Sequence, residues 1–473
     1  MTLCVFFYSN LYVSFVQSVY YMRYLLIVSI LATLFTACQH GASEQPAVNP
    51  GKVTRPASFA SDDEMLDYIQ KVHLNYMWDG AELTSGMAPE RIHPNGIYPS
   101  NDQDVVTIGG SGFGLMGLIV GVERGFIDRT KAVERFHKIA DYLAKADRFH
   151  GVWPHWLIGP TGRTKGFGTK DDGGDLVESA FLMQGLLCVR QYFADGNPRE
   201  QELAEKINRL WKEMEFSFYQ QDNHDVLYWH WSPTYGWQMN FPLEGYNECL
   251  IAYILGASSP TYPVPASAYH KGWARNGSFV SDEAPYGHPL RLKHNAQAGG
   301  GPLFWAHYSY IGFSPKGTKD RYADFWEVTR NHALANYAHC VANPKGYKGY
   351  SEKSWGLTAG YTMTGYSAHD PHNDLGVITP TAALSSFPYT PEESMAALKY
   401  FYFEKGDKLW GPYGFYDGFS ETADWYSDGY LAIDQLTIAP MIENYRTGLI
   451  WKLFMSCPEV QEGLEKLGIT YQN

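Results

Sequence analysis

Between Asp175 and Tyr192 the chain reads DLVESAFLMQGLLCVRQY. It carries helical spacing but is apolar on nearly every side, with Gly, Ala and Ser where a surface helix would have charges. A helix that is apolar all round is buried, whereas one with a single apolar stripe lies outside. Three more stretches share this character: Gly112–Val122, Tyr246–Leu255 and Asp434–Tyr445. Between them lie amphipathic stretches. Ser61-Asp62-Asp63-Glu64 reads as a capping box ahead of Met65, Leu66, Ile69, Val72 and Tyr76. Thr130 is expected to cap a helix carrying Val133, Phe136, Ile139, Ala140 and Leu143. Arg199–Tyr219 shows Leu203, Ile207, Leu210 and Trp211 on one face, and Thr390-Pro391-Glu392-Glu393 is a further capping box with proline at the first helical position. Asp324–Ala342 and Leu431–Phe454 complete the set. Alternation of the two kinds predicts an all-α fold of concentric rings, a single (α/α)6 toroid. Strand signals are weak, Val226–Trp231 being the best hairpin candidate.

In such a toroid the loops entering the inner helices line one mouth, and those loops turn aromatic and acidic. Trp153-Pro154-His155-Trp156, Trp229-His230-Trp231, Trp237–Tyr246, Tyr366–Asp374 and Tyr413–Trp425 are the segments concerned. Rings clustered in loops, away from helical spacing, favour a ligand groove over core filling. Sugars offer C–H faces that pack on rings and hydroxyls that need carboxylate partners.

The carboxylates fall in three groups. Glu244 and Glu248 stand at the mouth of an apolar helix in FPLEGYNECLIAYILGASSPTYPVP, Phe241–Pro265. Burial would hold Glu248 protonated while the helix N-terminus pulls the other way. In Lys170–Glu178, KDDGGDLVE, Asp171 and Asp172 precede a Gly-Gly turn, and Asp175 and Glu178 share a helix face at i,i+3. A Ca²⁺ site is the competing explanation there, but the alternating oxygens of an EF-hand are missing, so no metal and no cofactor is expected. Asp434, inside an apolar helix, needs a task or a partner; Asp424 and Asp428 are its rivals. His369-Asp370-Pro371-His372-Asn373-Asp374 lacks a second ligand pair and reads as a sugar-contacting loop. Gly109-Gly110-Ser111-Gly112-Phe113-Gly114 has no preceding strand signal and no lysine, so no phosphate-binding loop is read there.

The segments YNECLIAYILGASSPTYPV and Gly299–Pro315, GGGPLFWAHYSYIGFSP, resemble the bacterial glycoamylase-like family, and within it the β-1,2-glucanases of glycoside hydrolase family 144. The resemblance runs from about Ser58 to the C-terminus. It implies the same toroid and a glycosidase of β-1,2-glucan or its oligosaccharides, with the glutamate of YNE, here Glu248, as proton donor. It also implies Asp434 as general base or holder of the nucleophilic water. An inverting pair of this kind is expected about 6.5–9.5 Å apart, or further where the proton travels through a substrate hydroxyl. The acids Asp175 and Glu178 complete the catalytic candidates. Asp171, Glu244, Tyr246, Trp153, Trp156, Trp237, Trp305, His307, Tyr308, Tyr366 and Trp425 are the substrate-binding candidates. Linkage and endo or exo action stay open: an α-glucan hydrolase of glucoamylase type shares the fold, and a loop such as Pro263–Pro289 would confer exo action by blocking the groove. A glycan-capture protein without catalysis would have no use for Glu248 or the 171–178 cluster.

Met22-Arg23, the apolar run Tyr24–Phe35 and Phe35-Thr36-Ala37-Cys38 resemble a lipoprotein signal with its lipobox, translation starting at Met1 or Met22. The expected organisation is a signal over residues 1–37, a lipidated tether over 38–57 beginning at Cys38, and one domain over 58–473. A monomer held at the cell envelope by its lipid follows, periplasm-facing or on the outer membrane. The formal charge of −13, with no basic run, argues against nucleic acid and suits a neutral glucan. Cys188, Cys249, Cys340 and Cys457 are too scattered for a disulfide framework or a zinc site and read as buried thiols.

Overall fold

The computed structural model describes residues 54–295 and 299–472. The leader and the lipidation position Cys38 lie outside the described residues. The chain forms an α/α toroid, and six outer–inner pairs follow one another along it. Outer helices Asp62–Trp78, Arg129–Leu143, Pro198–Lys212, Phe325–Ala342 and Pro391–Lys399 alternate with inner helices Ile108–Glu123, Leu176–Phe193, Leu250–Ser258, Pro380–Leu384 and the broken pair Ala432–Gln435 and Ile438–Arg446. The remaining outer–inner pair is a single wide turn, Ala268–Trp273, followed by the tight turns Leu303–Ala306 and Tyr308–Tyr310. All of Leu250–Ser258 is buried, whereas Pro198–Lys212 buries only one face, in keeping with the two sequence patterns.

Glycine lets the inner helices touch. A Cβ on Gly185 would lie 2.1 Å from the Gly112 carbonyl oxygen, and one on Gly112 would lie 2.3 Å from that of Phe181. Ile108–Glu123 and Leu176–Phe193 therefore meet backbone to backbone. Short strands precede three of the inner helices. Val105–Thr107, paired antiparallel with Trp156–Ile158, runs into Ile108; Gly174–Asp175 runs into Leu176; Tyr430–Leu431, paired with Arg91–Ile92, runs into Ala432. Each such strand fixes the first turn of an inner helix and the side chains it carries.

Several boundaries differ from expectation. Val226–Trp231 forms no local hairpin; His230–Trp231 pairs instead with Gly174–Asp175. Asp128, not Thr130, caps Arg129–Leu143, its carboxylate accepting the Lys131 N–H. At Ser61 half of the capping box forms, because Glu64 reaches back to the Ala60 N–H. Thr390 makes no side-chain cap, although Pro391 does open its helix. Leu431–Phe454 is three helices: Thr437 turns its hydroxyl onto the Asp434 carbonyl (2.8 Å), and Gly448 takes φ +70°. The helix expected from Tyr246 starts at Leu250, since Asn247 Oδ1 takes the Cys249 N–H. The four cysteines of the domain are buried free thiols.

Candidate active site

Asp175 caps the inner helix Leu176–Phe193. Its Oδ1 accepts the N–H groups of Val177 (3.1 Å) and Glu178 (2.9 Å) and the Trp229 indole N–H (2.9 Å). Its Oδ2 lies 2.8 Å from His155 Nδ1 and 3.8 Å from His230 Nδ1. Burial would raise this carboxyl, but His155 and His230 hold it below the usual range. Asp175 has no exposed surface and both its oxygens are engaged by protein groups, so in this structure it acts on its surroundings by holding His155. Asp171 Oδ1 stands 3.2 Å from His230 Nδ1 on the same side. Burial would depress the His155 imidazole, yet Glu178, Asp175 and Asp171 together raise it to about 10, so it is an imidazolium. One cation thus offsets the mutual repulsion of the acid cluster. His155, Asp171 and Asp175 bring their ligand atoms within 4.8 Å of one another, close enough to hold a metal ion were His155 to lose its proton.

Glu178 is buried, accepts the Gly109 N–H at 2.8 Å, and is raised by burial and then by the charges of Asp175 and Glu90. Glu248 lies in the turn just before Leu250, anchored by the Ser309 hydroxyl, which donates to the Glu248 carbonyl. The same Ser309 oxygen accepts the Ile251 N–H at 3.0 Å, so the turn and the helix start move as one. Burial, aided by the nearby Asp175 charge, raises the Glu248 carboxyl to about 7. A side chain partly open to solvent and still protonated near neutrality has the properties of a general acid.

Asp434 enters from the third inner helix start. It is buried, its Oδ1 accepts the Tyr308 hydroxyl at 3.3 Å, and burial followed by contact with the Asp417 carboxyl raises it well above the usual range. The phenol of Tyr366, on the hairpin Ala359–Thr362/Gly365–Ala368, stands within electrostatic reach of Asp434, Glu90, Asp417 and Glu248, while its ring is 55% exposed. The structure therefore brings Glu248, Glu178, Asp434, Tyr308 and Tyr366 around one cleft.

The other candidates divide. Trp156 remains half-buried beside Phe167 (4.9 Å between ring centres) and faces the Glu90 carboxyl, and Trp425 is partly open. Trp237 is half-buried against Phe218, Tyr219 and Tyr228. Glu244 pairs with Arg275 at 3.2 Å. Trp153, Tyr246 and His307 are corrected from ligand contacts to core. Trp153 is fully buried with its indole N–H on the Leu143 carbonyl (3.1 Å), Tyr246 is fully buried against His294 and His332, and His307 bonds Ser386 (2.9 Å) and is depressed by burial to about 3. Trp305 is likewise buried, its ring filling the space beside Gly301. In the His369–Asp374 loop, His369, Asp370 and Asp374 are buried, Asp374 binding His339 (2.9 Å) and Tyr350 (2.8 Å) as a structural clasp, while His372 and Asn373 are exposed. Asp424 is exposed beside Lys408, and Asp428 bonds Asn95.

Sequence reasoning passed over His155, His230, Glu90 and Asp417. The first two sat inside quoted loops, where the adjacent tryptophans drew the reading. Asp417 sat in the Tyr413–Trp425 loop with no periodicity to mark it.

Residues 240–458 match the family model Glycoamylase, described as "Putative glucoamylase". The chain is similar to an endo-β-1,2-glucanase from Chitinophaga pinensis, solved with sophorotriose and glucose: 59% identity, TM-score 0.86, covering 87% of this chain and 99% of that one. A crystal structure of "a putative glucoamylase" from Bacteroides caccae is 55% identical with TM-score 0.86, covering 87% of this chain and 100% of that one. An exo β-1,2-glucooligosaccharide sophorohydrolase from Parabacteroides distasonis is 42% identical over 428 residues, 86% of this chain. The chain spans 58% of the length of that curated relative.

Proposed function

The chain belongs to the glycoamylase-like family, and on that premise we propose that it is a glycosidase hydrolysing β-1,2-glucosidic bonds of a glucan or its oligosaccharides. The observation that carries the reading is Glu248, protonated up to about pH 7 at the edge of a cleft whose other acids are buried. The relatives named above as acting on β-1,2-glucan and sophoro-oligosaccharides supply the linkage.

In the proposed step Glu248 gives its proton to the glycosidic oxygen as the C1–O bond breaks. A water attacks C1 from the opposite face and passes its proton to Asp434, so the anomeric configuration inverts. Tyr308 orients the Asp434 carboxyl, and Tyr366, between the two acids, packs on or bonds the sugar at the scissile position. His155, held by Asp175 and Asp171, donates to hydroxyls of the bound sugar and keeps the cleft from accumulating negative charge.

The test is product analysis with β-1,2-glucan and with amylose as separate substrates. Sophorose or short β-1,2-oligosaccharides from the first alone, released with the α configuration, agree with the proposal. Release from amylose alone overturns the linkage, and initial β products overturn the inverting step. The product sizes distinguish exo from endo action.

A further inference from the structure

Asp434 Oδ2 is a buried oxygen with no hydrogen-bond partner among the described residues, and the Asp417 carboxyl lies within hydrogen-bonding reach of the Asp434 carboxyl. Asp417 is itself buried in the loop before Phe419. Its Oδ2 takes the Tyr361 N–H at 2.5 Å, and its own N–H is fixed to the Gly429 carbonyl at 3.2 Å. Gly360 leaves room for this approach, since a Cβ there would stand 2.9 Å from Asp417 Oδ2. Two carboxyls in hydrogen-bond contact, both out of water, cannot both be ionised. Among the described residues the cation that faces Asp417 is Arg91, which draws that carboxyl down but is itself paired with Asp102. The other groups facing Asp434 are the Tyr308 hydroxyl, Glu90 and the Tyr366 phenol, none of them positive.

We propose that Asp417 is a positioning residue for hydrolysis: it shares a single proton with Asp434, and that proton holds the Asp434 carboxyl in place while leaving the pair able to accept one more. The role in turnover rests on the glycosidase reading above. In the resting state the pair carries one proton and one negative charge. During the reaction the attacking water forms its O–C1 bond and gives a proton to the pair, which becomes neutral. Glu248, having lost its proton to the departing oxygen, becomes anionic. Loss of one proton from the pair to solvent and gain of one by Glu248 restore the starting state. Burial raises the Asp417 carboxyl to about 6, so below that pH the pair is filled and cannot act as base. Activity then falls as pH drops through about 6 and, through Glu248, as pH rises through about 7.

Asp417→Asn removes the shared proton and turns an amide donor toward Asp434, which favours its ionised form. Infrared difference spectra at about pH 8, without glucan, are expected to show a protonated carboxyl in the wild type that is lost in Asp417→Asn and in Asp434→Asn. The acid limb of kcat/KM for β-1,2-glucan is expected to move about one pH unit lower in Asp417→Asn, with the alkaline limb unmoved. A carboxyl band untouched by either substitution overturns the proposal; should Asp417→Asn not fold, Asp434→Asn still decides the band. A fall in rate with the acid limb unmoved also overturns it, leaving Asp417 a structural role only. If the band behaves as expected and no glucan is cleaved, the shared proton stands and the reading of the reaction falls.

Discussion

Glu248 holds its proton because partial burial disfavours its charge, and the fold bears a cost for that burial. Its carboxyl titrates at about 7 in the folded protein, above its ordinary value of 4.5. A raised carboxyl means that the folded state disfavours the charge. The associated stability is therefore present in full below the unfolded value and is lost as pH rises to about 7. At about 1.4 kcal/mol per unit the loss is on the order of 3 kcal/mol. Glu248→Gln removes the charge, so at about pH 8 this variant is expected to be more stable than the wild type by up to about 3 kcal/mol, with no such gain near pH 4. Urea unfolding at the two pH values checks this; an equal difference at both contradicts it. Glu248 and Asp434 drew attention in the sequence because an acid beside or within an apolar helix is costly without a task or a partner. Trp153, Tyr246 and His307 were misread because a loop rich in rings does not say which ring turns inward. His155 was not legible at all, since its partner Asp175 is brought to it by the pairing of separate segments.

Inner-helix starts set the positions of Asp175, Glu178 and Asp434, and glycines let two of those helices touch. Gly185→Ala would place a methyl 2.1 Å from the Gly112 carbonyl oxygen, which forces Leu176–Phe193 away from Ile108–Glu123. A cost of about 1–3 kcal/mol is expected from such overpacking. Gly117 lies in the same helix as Gly112, yet its added methyl would meet nothing closer than 3.9 Å. Gly117→Ala is therefore expected to be neutral or to stabilise by about 0.5–1 kcal/mol. Thermal unfolding of the two variants distinguishes them; equal effects would contradict the contact. At this scale the sequence showed which helices are buried, because an all-round apolar surface has one physical meaning. It did not show their ends. Those depend on side chains such as Asn247 and Thr437 that compete with the helix for backbone groups. The pairing of Gly174–Asp175 with His230–Trp231 was equally hidden, as two-residue strands carry no periodicity.

Across the whole molecule, three inner-helix starts and the turn before Leu250 are gathered at one cleft, where carboxyls from distant segments share few positive partners. The toroid was legible from alternation alone, whereas the proton distribution in the cleft was not, because it depends on which carboxyls face one another. One of these groups, Glu248, is the proposed proton donor. The most direct measurement is the initial rate of oligosaccharide release from β-1,2-glucan by Glu248→Gln and by wild type, both confirmed folded, at about pH 6.5 where the donor and the base coexist. A fall of about 10²–10⁴-fold is predicted. A variant retaining wild-type turnover would place the proton donor elsewhere and contradict the account.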